Sequence, residues 1–455
     1  MSFSHGISPL DGRYGERMAP LRRSFSEFAL MERRVEVELR YLLALESVDC
    51  FEPLSADERG RLDDALGSFG APEFQRLKEI ESELNHDVKA VEVFLRERLR
   101  LKNPNRIHFG LTSEDINNLA YTLCLKDYVE HGQLPLWREL LQEIAERAHK
   151  WAEIPFPTRT HGQFASPSTA GKELAVYLTR GVRLFKVLRA FRFTGKLGGA
   201  TGNFSAMQAA CPAVDWRRFA GDFVESLDLS YNGCTTQVED HDNWAHFFNL
   251  TRAFNNVIQD LDLDFWLYIS YGYLKEATRQ GEVGSSTMPH KVNPIRFENS
   301  EGNLQVANSL LTFLSDKLPR SRMQRDLSDS TVTRNIGVAL GHSHLAWQET
   351  LRGLARVDVD QERCLEELEQ SPELLSEPIQ SILRLVTNDD PYTLLKTLTR
   401  GKEVTTQALA EFIDELDVDE EVRARLRALS VTGYLGLAPE ICLEACKLAR
   451  EELTK

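Results

Sequence analysis

The chain has 455 residues, of which 54 are lysine or arginine and 69 are aspartate or glutamate, so its formal net charge is −15. Hydrophobic residues at 42% and charged residues at 27% are ordinary for globular proteins and exclude a disordered or collagen-like chain. A net-acidic protein is poorly suited to nucleic acid or anionic membranes, so an anionic ligand would need basic residues concentrated locally.

The cysteines and the apolar runs give no sign of export or of a membrane span. The seven cysteines are dispersed and contain no Cys-x-x-Cys pair, which is typical of reduced thiols in the cytoplasm. Cys442 and Cys446 are one helical turn apart, which indicates small buried residues on one helix face. The first residues lack the features of a secretory signal, and the most apolar run, 265–274, is too short to cross a bilayer. We therefore expect a cytoplasmic protein without a membrane-spanning segment.

The placement of proline predicts the architecture. Proline breaks helices, and it is absent from residues 168–211, 213–288 and 320–371. Apolar residues recur at three- and four-residue spacing, and no convincing run alternates with the period of a strand. The sequence therefore predicts an all-α protein, with long helices over 244–273, 304–314 and 336–354.

The segment Leu111–Ile116 predicts the start of a helix. Thr112 or Ser113 can act as the N-cap, acidic residues follow in the first turn, and the apolar periodicity begins directly afterwards. A helix N-terminus also binds anions, because its first N–H groups are unpaired and its dipole is favourable. The two interpretations are compatible.

Two glycine-containing segments follow. Residues 158–163 place His161 among hydrogen-bond donors, and such a histidine could transfer a proton. On this segment alone, a histidine bonded to the backbone at a helix entrance is the simpler interpretation. Residues 196–203 match neither the phosphate-loop nor the dinucleotide pattern, so they predict a tight turn or a close approach of helices.

Residues 281–294 predict a loop, because they contain two glycines, two prolines and small polar residues. Ser285 and Ser286 would ordinarily be solvated there. Lys291 and Asn293 add donors suited to an oxyanion or a carboxylate.

Residues 319–334 contain four arginines interleaved with hydroxyl side chains. Guanidinium groups pair bidentately with phosphate and carboxylate, although a solvated face with ion pairs to Asp326 and Asp329 explains the pattern equally well. Beyond Asp358, shorter acidic segments broken by proline indicate a small helical domain. No histidine–carboxylate zinc pattern and no Gly-x-Ser-x-Gly motif occurs.

Several of these segments resemble a known family. Residues 284–294, Gly-Ser-Ser-Thr-Met-Pro-His-Lys-Val-Asn-Pro, are similar to the signature loop of the fumarase/aspartase superfamily, and Thr112–Asp115 and Thr160–Gln163 resemble its other two segments. More narrowly, the chain resembles bacterial adenylosuccinate lyases over nearly its whole length. The closest matches are Ser8–Tyr14, Asn85–Ala90, Thr235–Gln237 and Arg325–Thr331.

The resemblance implies a β-elimination that releases fumarate, from adenylosuccinate to give AMP and from succinylaminoimidazole carboxamide ribotide to give the carboxamide ribotide. Such a reaction needs a base, an acid on the opposite face and fixed donors for the carbanion. The resemblance implies no cofactor, no metal and no partner beyond the nucleotide substrates and other copies of the chain.

The resemblance also assigns roles by motif: Ser285 resembles the base, and His161 resembles the acid. The expected substrate-binding residues are Arg13, Tyr14, Asn85, His86, Asp87, Thr112, Ser113, Gln237, Ser286, Lys291, Asn293, Arg325, Ser330, Thr331 and Arg334. The phosphate cradle that the family implies consists of Arg13, Tyr14, Ser330 and Arg334. In one departure, Phe164 stands where the family usually has proline, so the turn at His161 lacks that φ restraint.

The family fold implies three helical regions, 1–111, 112–364 and 365–455. It also implies a homotetramer with a twenty-helix core and with active sites shared between subunits. The long helices agree with this, because a single copy could hardly bury all their faces.

Two alternatives remain open at this point. Another fumarate-releasing lyase of the superfamily, such as one for argininosuccinate, would leave Arg13 and the arginines of 320–334 without a phosphate to bind. A catalytically inactive homologue would be expected to lack Ser285, His161 or Lys291, and all three are present.

Overall fold

The computed structural model describes residues 6–277, 293–388, 390–393, 395 and 404–455. These residues are predominantly helical, as the sequence predicts. The helices are α1 (Ala19–Phe25), α2 (Glu27–Ala44), α3 (Ala56–Gly67), α4 (Ala71–Leu84), α5 (Asp87–Leu99), α6 (Ser113–Tyr128), α7 (Leu134–Lys150), α8 (Ala170–Arg189), α9 (Ser205–Ala210), α10 (Trp216–Ser226), α11 (Asp242–Tyr271), α12 (Ile295–Lys317), α13 (Ser328–Thr333), α14 (Ile336–Leu354), α15 (Gln361–Glu369), α16 (Ser376–Leu383), α17 (Thr406–Glu415), α18 (Glu420–Arg427) and α19 (Ala438–Leu453).

The long helices form where proline is absent. Helix α11 has 30 residues and lies close to the predicted range 244–273. Its Phe247, Phe254 and Ile258 are fully buried, as their helical spacing predicts. The helix is followed by Gly272, whose φ of +80° is a left-handed conformation that glycine adopts without steric cost. Helices α12 and α14 contain the other two predicted ranges.

Six short strands also form among the described residues, which the sequence analysis did not predict. Two pairs are antiparallel: β1 (Pro155–Thr160) with β2 (Gln163–Thr169), and β5 (Leu274–Glu276) with β6 (Val357–Val359). The third pair, β3 (Thr194–Gly195) with β4 (Ser230–Tyr231), is parallel. Strands of two to seven residues are too short to establish an alternating pattern, and β1 and β2 contain proline.

The chain divides into two compact units. Unit 1 comprises Met1–Trp137, Val187–Asn255 and Gly302–Ala346, and unit 2 comprises Arg138–Lys186, Asn256–Glu301 and Trp347–Lys455. The boundaries fall inside α7, α8, α11, α12 and α14, so no linker composition marks them in the sequence. The division into 1–111, 112–364 and 365–455 stays a prediction.

Each unit contains an apolar cluster built from short amphipathic helices. In unit 1, α2 to α5 bury residues such as Leu39, Leu62 and Leu95. In unit 2, α15 to α18 bury residues such as Ile379 and Leu426. The shorter helices beyond Asp358 therefore pack on one another, as their amphipathic pattern predicts.

The cysteines depart from the expectation in one place. Cys50 and Cys211 form a disulfide, with Cα atoms 6.1 Å apart, although reduced thiols were predicted. Since 161 residues separate them, only the folded chain brings them together. Cys442 and Cys446 are buried on α19, as predicted. Within the described ranges, no helix is both long and apolar enough to cross a membrane.

Candidate active site

Helix α6 begins at the segment that the sequence predicts as a helix N-terminus. The N–H of Thr112 donates to the Asp115 carboxylate at 2.9 Å, which fixes the chain as it enters the helix. Ser113, the first residue of α6, makes no side-chain hydrogen bond with a described residue. The helix therefore presents unpaired donors at Ser113.

The buried carboxylate of Asp115 ties the start of α6 to the glycine-rich turn at 196–203. It accepts hydrogen bonds from Lys196 Nζ at 2.8 Å, from the Gly198 N–H at 2.9 Å and from the Gly199 N–H at 3.1 Å. A buried charge is tolerated only when it is paired and hydrogen-bonded, and both conditions hold here. The turn is therefore a close approach to a helix, one of its two predicted structures.

The same turn brings residues 235–237 beside it. Gly202 has a φ of +74°, and a Cβ there would lie 2.2 Å from the carbonyl oxygen of Thr235, so only glycine fits. Gln237 then accepts a hydrogen bond from Arg325 at 3.1 Å through its Oε1. Two predicted substrate contacts, Gln237 and Arg325, are thus neighbours in the fold.

A cavity of about 420 Å³ in unit 1 brings seven predicted site residues together. They are Asn85, His86, Asp87, Ser113, Arg325, Ser330 and Arg334. The cavity is also lined by residues that were not predicted as site residues, which are Arg34, Glu81, Glu114, Asn117, Asn118, Tyr121, His241, Trp244, Leu327, Asp329 and Thr333. Five stretches of chain that are distant in sequence, at 34, 81–87, 113–121, 241–244 and 325–334, therefore form one polar cavity.

His86 is oriented by the backbone. It is the N-cap of α5, and its Nδ1 accepts the N–H of Lys89 at 3.2 Å. A ring nitrogen that accepts is unprotonated, so the neutral ring carries its proton on Nε2. The exposed His86 side chain is therefore a hydrogen-bond donor suited to an anionic ligand.

Arg34 is the most informative residue that the sequence analysis missed. Its buried guanidinium lies 2.8 Å from the Asp87 carboxylate and donates through Nε to Asn117 at 2.9 Å. Burial alone would raise the pKa of Asp87, but Arg34 outweighs it and lowers that pKa. Asp87 is therefore ionised at neutral pH and holds Arg34 in the cavity wall.

The sequence does contain a signal for Arg34. It lies three residues after Met31 and directly before Val35, both of which are buried on α2. A charge on the apolar face of a helix needs a partner, so Arg34 could have been marked as a paired or functional residue.

The arginine-rich segment 320–334 divides between its two predicted roles. Arg322 is a solvated ion-pair residue, 82% exposed and 3.6 Å from Asp326. Arg325, in contrast, lines the cavity and pairs with Glu114 at 2.9 Å. Arg334 also lines the cavity, and its guanidinium makes no hydrogen bond or ion pair with a described residue. The Arg334 charge therefore remains available to a ligand.

Helix α13 places Ser330 and Arg334 one turn apart. Arg334 is its C-cap, and the buried Asp329 accepts the N–H of Ser330 at 2.7 Å. The hydroxyl and the guanidinium thus lie on the same side of the helix, as their spacing predicts.

A second cavity of about 360 Å³ continues from the first, with which it shares Arg34, Tyr121 and Arg334. It is more apolar, because Leu30 and Met31 contribute to its wall. Burial raises the pKa of Tyr121, so its phenol remains protonated at neutral pH. The polar cavity therefore has an adjacent chamber with an apolar side.

His161 lies at the tip of the β1–β2 hairpin in unit 2. Thr160 pairs with Gln163, so His161 and Gly162 form a two-residue turn, with φ of +52° and +75°. Positive φ at both positions fits the turn that matches the twist of a hairpin. His161 is exposed, and the alternative of a histidine bonded at a helix entrance is wrong.

The remaining predicted residues lie elsewhere. Arg13 and Tyr14 do not line the cavity, and the Arg13 guanidinium lies 5.7 Å from the Tyr14 ring. Thr112, Gln237 and Thr331 adjoin lining residues without lining the cavity, and Asn293 belongs to unit 2. Ser285, Ser286 and Lys291 lie outside the described residues. Within the part of the chain that is described, no group of three His, Cys, Asp or Glu side chains could hold a metal ion.

Comparisons with known proteins show what the chain is similar to. A family model for lyases matches residues 12–307, and a model for the adenylosuccinate lyase C-terminal region matches residues 321–435. The chain is 48% identical to an adenylosuccinate lyase of Haemophilus influenzae, covering 96% of this chain and 97% of the relative. It is 46% identical to that of Escherichia coli K12, covering 95% and 96%.

A solved structure shows the same fold at low sequence identity. The 3-carboxy-cis,cis-muconate lactonizing enzyme of Pseudomonas putida superimposes with a TM-score of 0.76 at 20% identity. The similarity covers 96% of this chain and 97% of that one. It therefore supports the all-α fold of the superfamily and carries no information on substrate.

Proposed function

The chain belongs to the adenylosuccinate lyase family of the fumarase/aspartase superfamily, and we propose that it cleaves adenylosuccinate to AMP and fumarate. The same β-elimination would release fumarate from succinylaminoimidazole carboxamide ribotide and leave the carboxamide ribotide. Both reactions break a carbon–nitrogen bond, so the chain acts as a carbon–nitrogen lyase in purine nucleotide synthesis.

The observation that carries this proposal is the arrangement of cations and donors in the unit 1 cavity. Arg334 has no charged partner among the described residues, Ser330 lies one turn before it, and Ser113 adds the N-terminus of α6. Adenylosuccinate carries a phosphate and two carboxylates, which need several fixed cations and N–H donors. A lyase for argininosuccinate has no phosphate to bind, so an arginine left unpaired here favours a nucleotide.

The adjacent chamber supports the same substrate class. A nucleotide has a charged end and a flat, largely apolar base, and the two joined cavities offer a polar and a more apolar lining. We assign the phosphate to the Ser330–Arg334 side of the polar cavity. The base would lie toward Leu30, Met31 and Tyr121.

The elimination requires three linked events at the succinyl group. A base removes a proton from the carbon next to a carboxylate, the electron pair forms the double bond of fumarate, and the carbon–nitrogen bond breaks as an acid protonates the nitrogen. The intermediate places a second negative charge on the carboxylate, so donors close to it lower the barrier. We assign the base to Ser285, the acid to His161 and the carboxylate donors to Lys291 and Asn293.

A serine hydroxyl is a weak base, and this assignment therefore has a physical requirement. Ser285 would need a site that excludes water and surrounds the alkoxide with donors. Lys291 lies six residues after Ser285 in the sequence and can supply one such charge.

We further propose that the chain forms a homotetramer with shared active sites. Apolar side chains that one copy leaves exposed support this, such as Leu263, Trp266 and Leu267 on α11, each 41–42% exposed. Phe313 on α12 is 52% exposed. Leu263, Trp266 and Leu267 lie three and four residues apart and so share one face of α11, and a contiguous exposed apolar patch marks an interaction surface.

Mixing the purified chain with adenylosuccinate tests the proposal. We expect the ultraviolet absorbance to change as AMP and fumarate form in equal amounts. Argininosuccinate serves as the matched control, and we expect no fumarate from it. Turnover of argininosuccinate, or no turnover of adenylosuccinate by a folded protein, would refute the assignment.

A further inference from the structure

We propose that Arg159 is the positioning residue for His161, because it fixes the tip of the β1–β2 hairpin through two aromatic rings and the turn itself. The inference rests on the proposed function, which assigns the acid to His161. In this role Arg159 does not touch the substrate, and it affects the reaction by holding the hairpin that carries His161.

The Arg159 guanidinium lies over two aromatic rings. Its central carbon lies 3.9 Å from the centroid of Phe164 and 4.9 Å from that of Tyr271. Phe164 is the cross-strand partner of Arg159 in the hairpin, and Tyr271 is the last residue of α11. A planar, delocalised cation stacks on aromatic faces in a way that the ammonium of lysine does not reproduce.

The edge of the same guanidinium is also engaged. Nη1 donates to the carbonyl oxygen of Gly162 in the turn at 3.2 Å, and Nη2 donates to the Tyr273 hydroxyl at 3.1 Å. Nη2 also lies 3.7 Å from the Glu367 carboxylate on α15. One side chain, itself only 26% exposed, therefore joins the turn to two other elements of unit 2.

The Tyr273 hydroxyl, which accepts a hydrogen bond from Arg159, keeps its proton near neutral pH. Burial and the neighbouring Glu367 raise the pKa of Tyr273 to about 12, so its hydroxyl stays protonated. That hydroxyl donates to Glu367 at 2.6 Å. Arg159 thus lies beside the Glu367 carboxylate and bonds to a Tyr273 hydroxyl that the same carboxylate holds in place.

His161 needs such support because nothing else in the described chain holds its ring. It occupies a left-handed φ of +52°, it is exposed, and it makes no hydrogen bond with a described residue. The backbone of a two-residue turn therefore decides where the imidazole lies. A displacement of about 1 Å in a proton-transferring group can cost about 100-fold in rate. Loosening this turn should lower kcat and leave substrate binding almost unchanged.

The experiment compares Arg159→Lys, Phe164→Leu and Phe164→Tyr with the wild-type protein. The matched control is Arg147→Lys, since Arg147 also lies over a ring, that of Trp151 at 5.7 Å, and pairs with a carboxylate elsewhere in unit 2. Two quantities are measured: kcat and KM for adenylosuccinate, and amide hydrogen exchange in peptides that cover residues 155–169.

We expect Arg159→Lys and Phe164→Leu to lower kcat by about 10- to 100-fold, with KM within about threefold, and to speed exchange in the hairpin. Phe164→Tyr keeps an aromatic face, so it should retain wild-type values, and so should Arg147→Lys. A mainly structural role for Arg159 would not produce this split between kcat and KM.

Three results would overturn the inference: wild-type kcat in Arg159→Lys, unchanged exchange in the hairpin of both loss variants, or an equal effect of Arg147→Lys. If the wild-type protein does not turn over adenylosuccinate, the proposed function has failed. The exchange measurement still decides, in that case, whether Arg159 fixes the hairpin.

Discussion

Lys196 donates a hydrogen bond to the Asp115 carboxylate at 2.8 Å, and neither side chain is exposed to solvent. The pair fastens the glycine-rich turn to the start of α6, the helix whose first residue, Ser113, lines the cavity. Because breaking a buried pair leaves one charge without compensation, this contact affects the stability of the fold as well as the shape of the site.

The first prediction follows from that pair. Asp115→Asn should lower the free energy of unfolding by about 3–5 kcal/mol, because Lys196 would remain buried without a counter-charge. Urea denaturation measures the loss. The control is Asp64→Asn, which removes an exposed ion pair to Arg98 and should cost no more than about 1 kcal/mol. Similar losses in both variants would contradict the role of the buried pair.

The second prediction concerns the acid and the base. Ser285→Ala and His161→Ala should each lower kcat by about 10² to 10⁴, and the double variant should lose much less than the product. Circular dichroism should show an unchanged helix content. His131→Ala, which alters an exposed histidine of the α6–α7 connection, should stay close to wild type. Near-normal turnover by either site variant would remove that residue from its assigned role.

The third prediction separates a nucleotide from a substrate without phosphate. Arg334→Ala should lower kcat/KM for adenylosuccinate by about 10- to 100-fold, because a charge-assisted contact to the phosphate is lost. The phosphate is remote from the breaking bond, so its binding energy mainly positions the substrate. For the dephosphorylated succinyl-nucleoside, the same change should have little effect.

Arg322→Ala is the matched control for that experiment. Arg322 belongs to the same segment, but it is 82% exposed and does not line the cavity. Arg322→Ala should leave kcat/KM unchanged for both adenylosuccinate and the dephosphorylated succinyl-nucleoside. Equal fractional losses for Arg334→Ala on the two substrates would show that Arg334 does not read the phosphate.

The fourth prediction tests shared active sites. If His161 and Ser285 of one site come from different subunits, two inactive variants can rebuild intact sites. His161→Ala and Ser285→Ala would be denatured together, refolded and assayed, with each variant refolded alone as the control. Recovered activity in the mixture is expected. No recovery in tetramers that contain both chains would place each site within one chain.

The fifth prediction concerns pH and the pair of His108 and Glu38. Burial alone would lower the pKa of His108, but the hydrogen bond that its Nδ1 donates to Glu38 at 2.5 Å and the Glu38 charge outweigh burial and raise that pKa above 6.5. The protonated histidine therefore stabilises the fold below pH 6.5, and this contribution is lost as the pH rises through the raised pKa.

Urea unfolding of the wild type and of His108→Gln, from about pH 5.5 to about pH 8.5, measures that contribution. The difference in the free energy of unfolding should be largest at the acidic end and should shrink as the pH rises. A difference that is constant, or that grows with pH, would contradict the raised pKa.

The sequence by itself determined the features that depend on neighbours along the chain. The apolar spacing and the absence of proline predict α11 and α14, since helical hydrogen bonds join residues four apart. The N-cap pattern predicts that α6 begins at Thr112 or Ser113, and the structure has Thr112 as the N-cap. The motif at residues 284–294, supported by Thr112–Asp115 and Thr160–Gln163, predicts the superfamily, because a run of that length is distinctive.

Only the tertiary structure decided which of these residues meet. Asn85, Ser113 and Arg334 line one cavity, and the buried charge of Arg34 faces Asp87 across 53 residues of chain. The Cys50–Cys211 disulfide and the short hairpin under His161 likewise arise from contacts that no local pattern records. The physical reason is that burial and charge pairing depend on distance in space, whereas helix formation depends on distance along the chain.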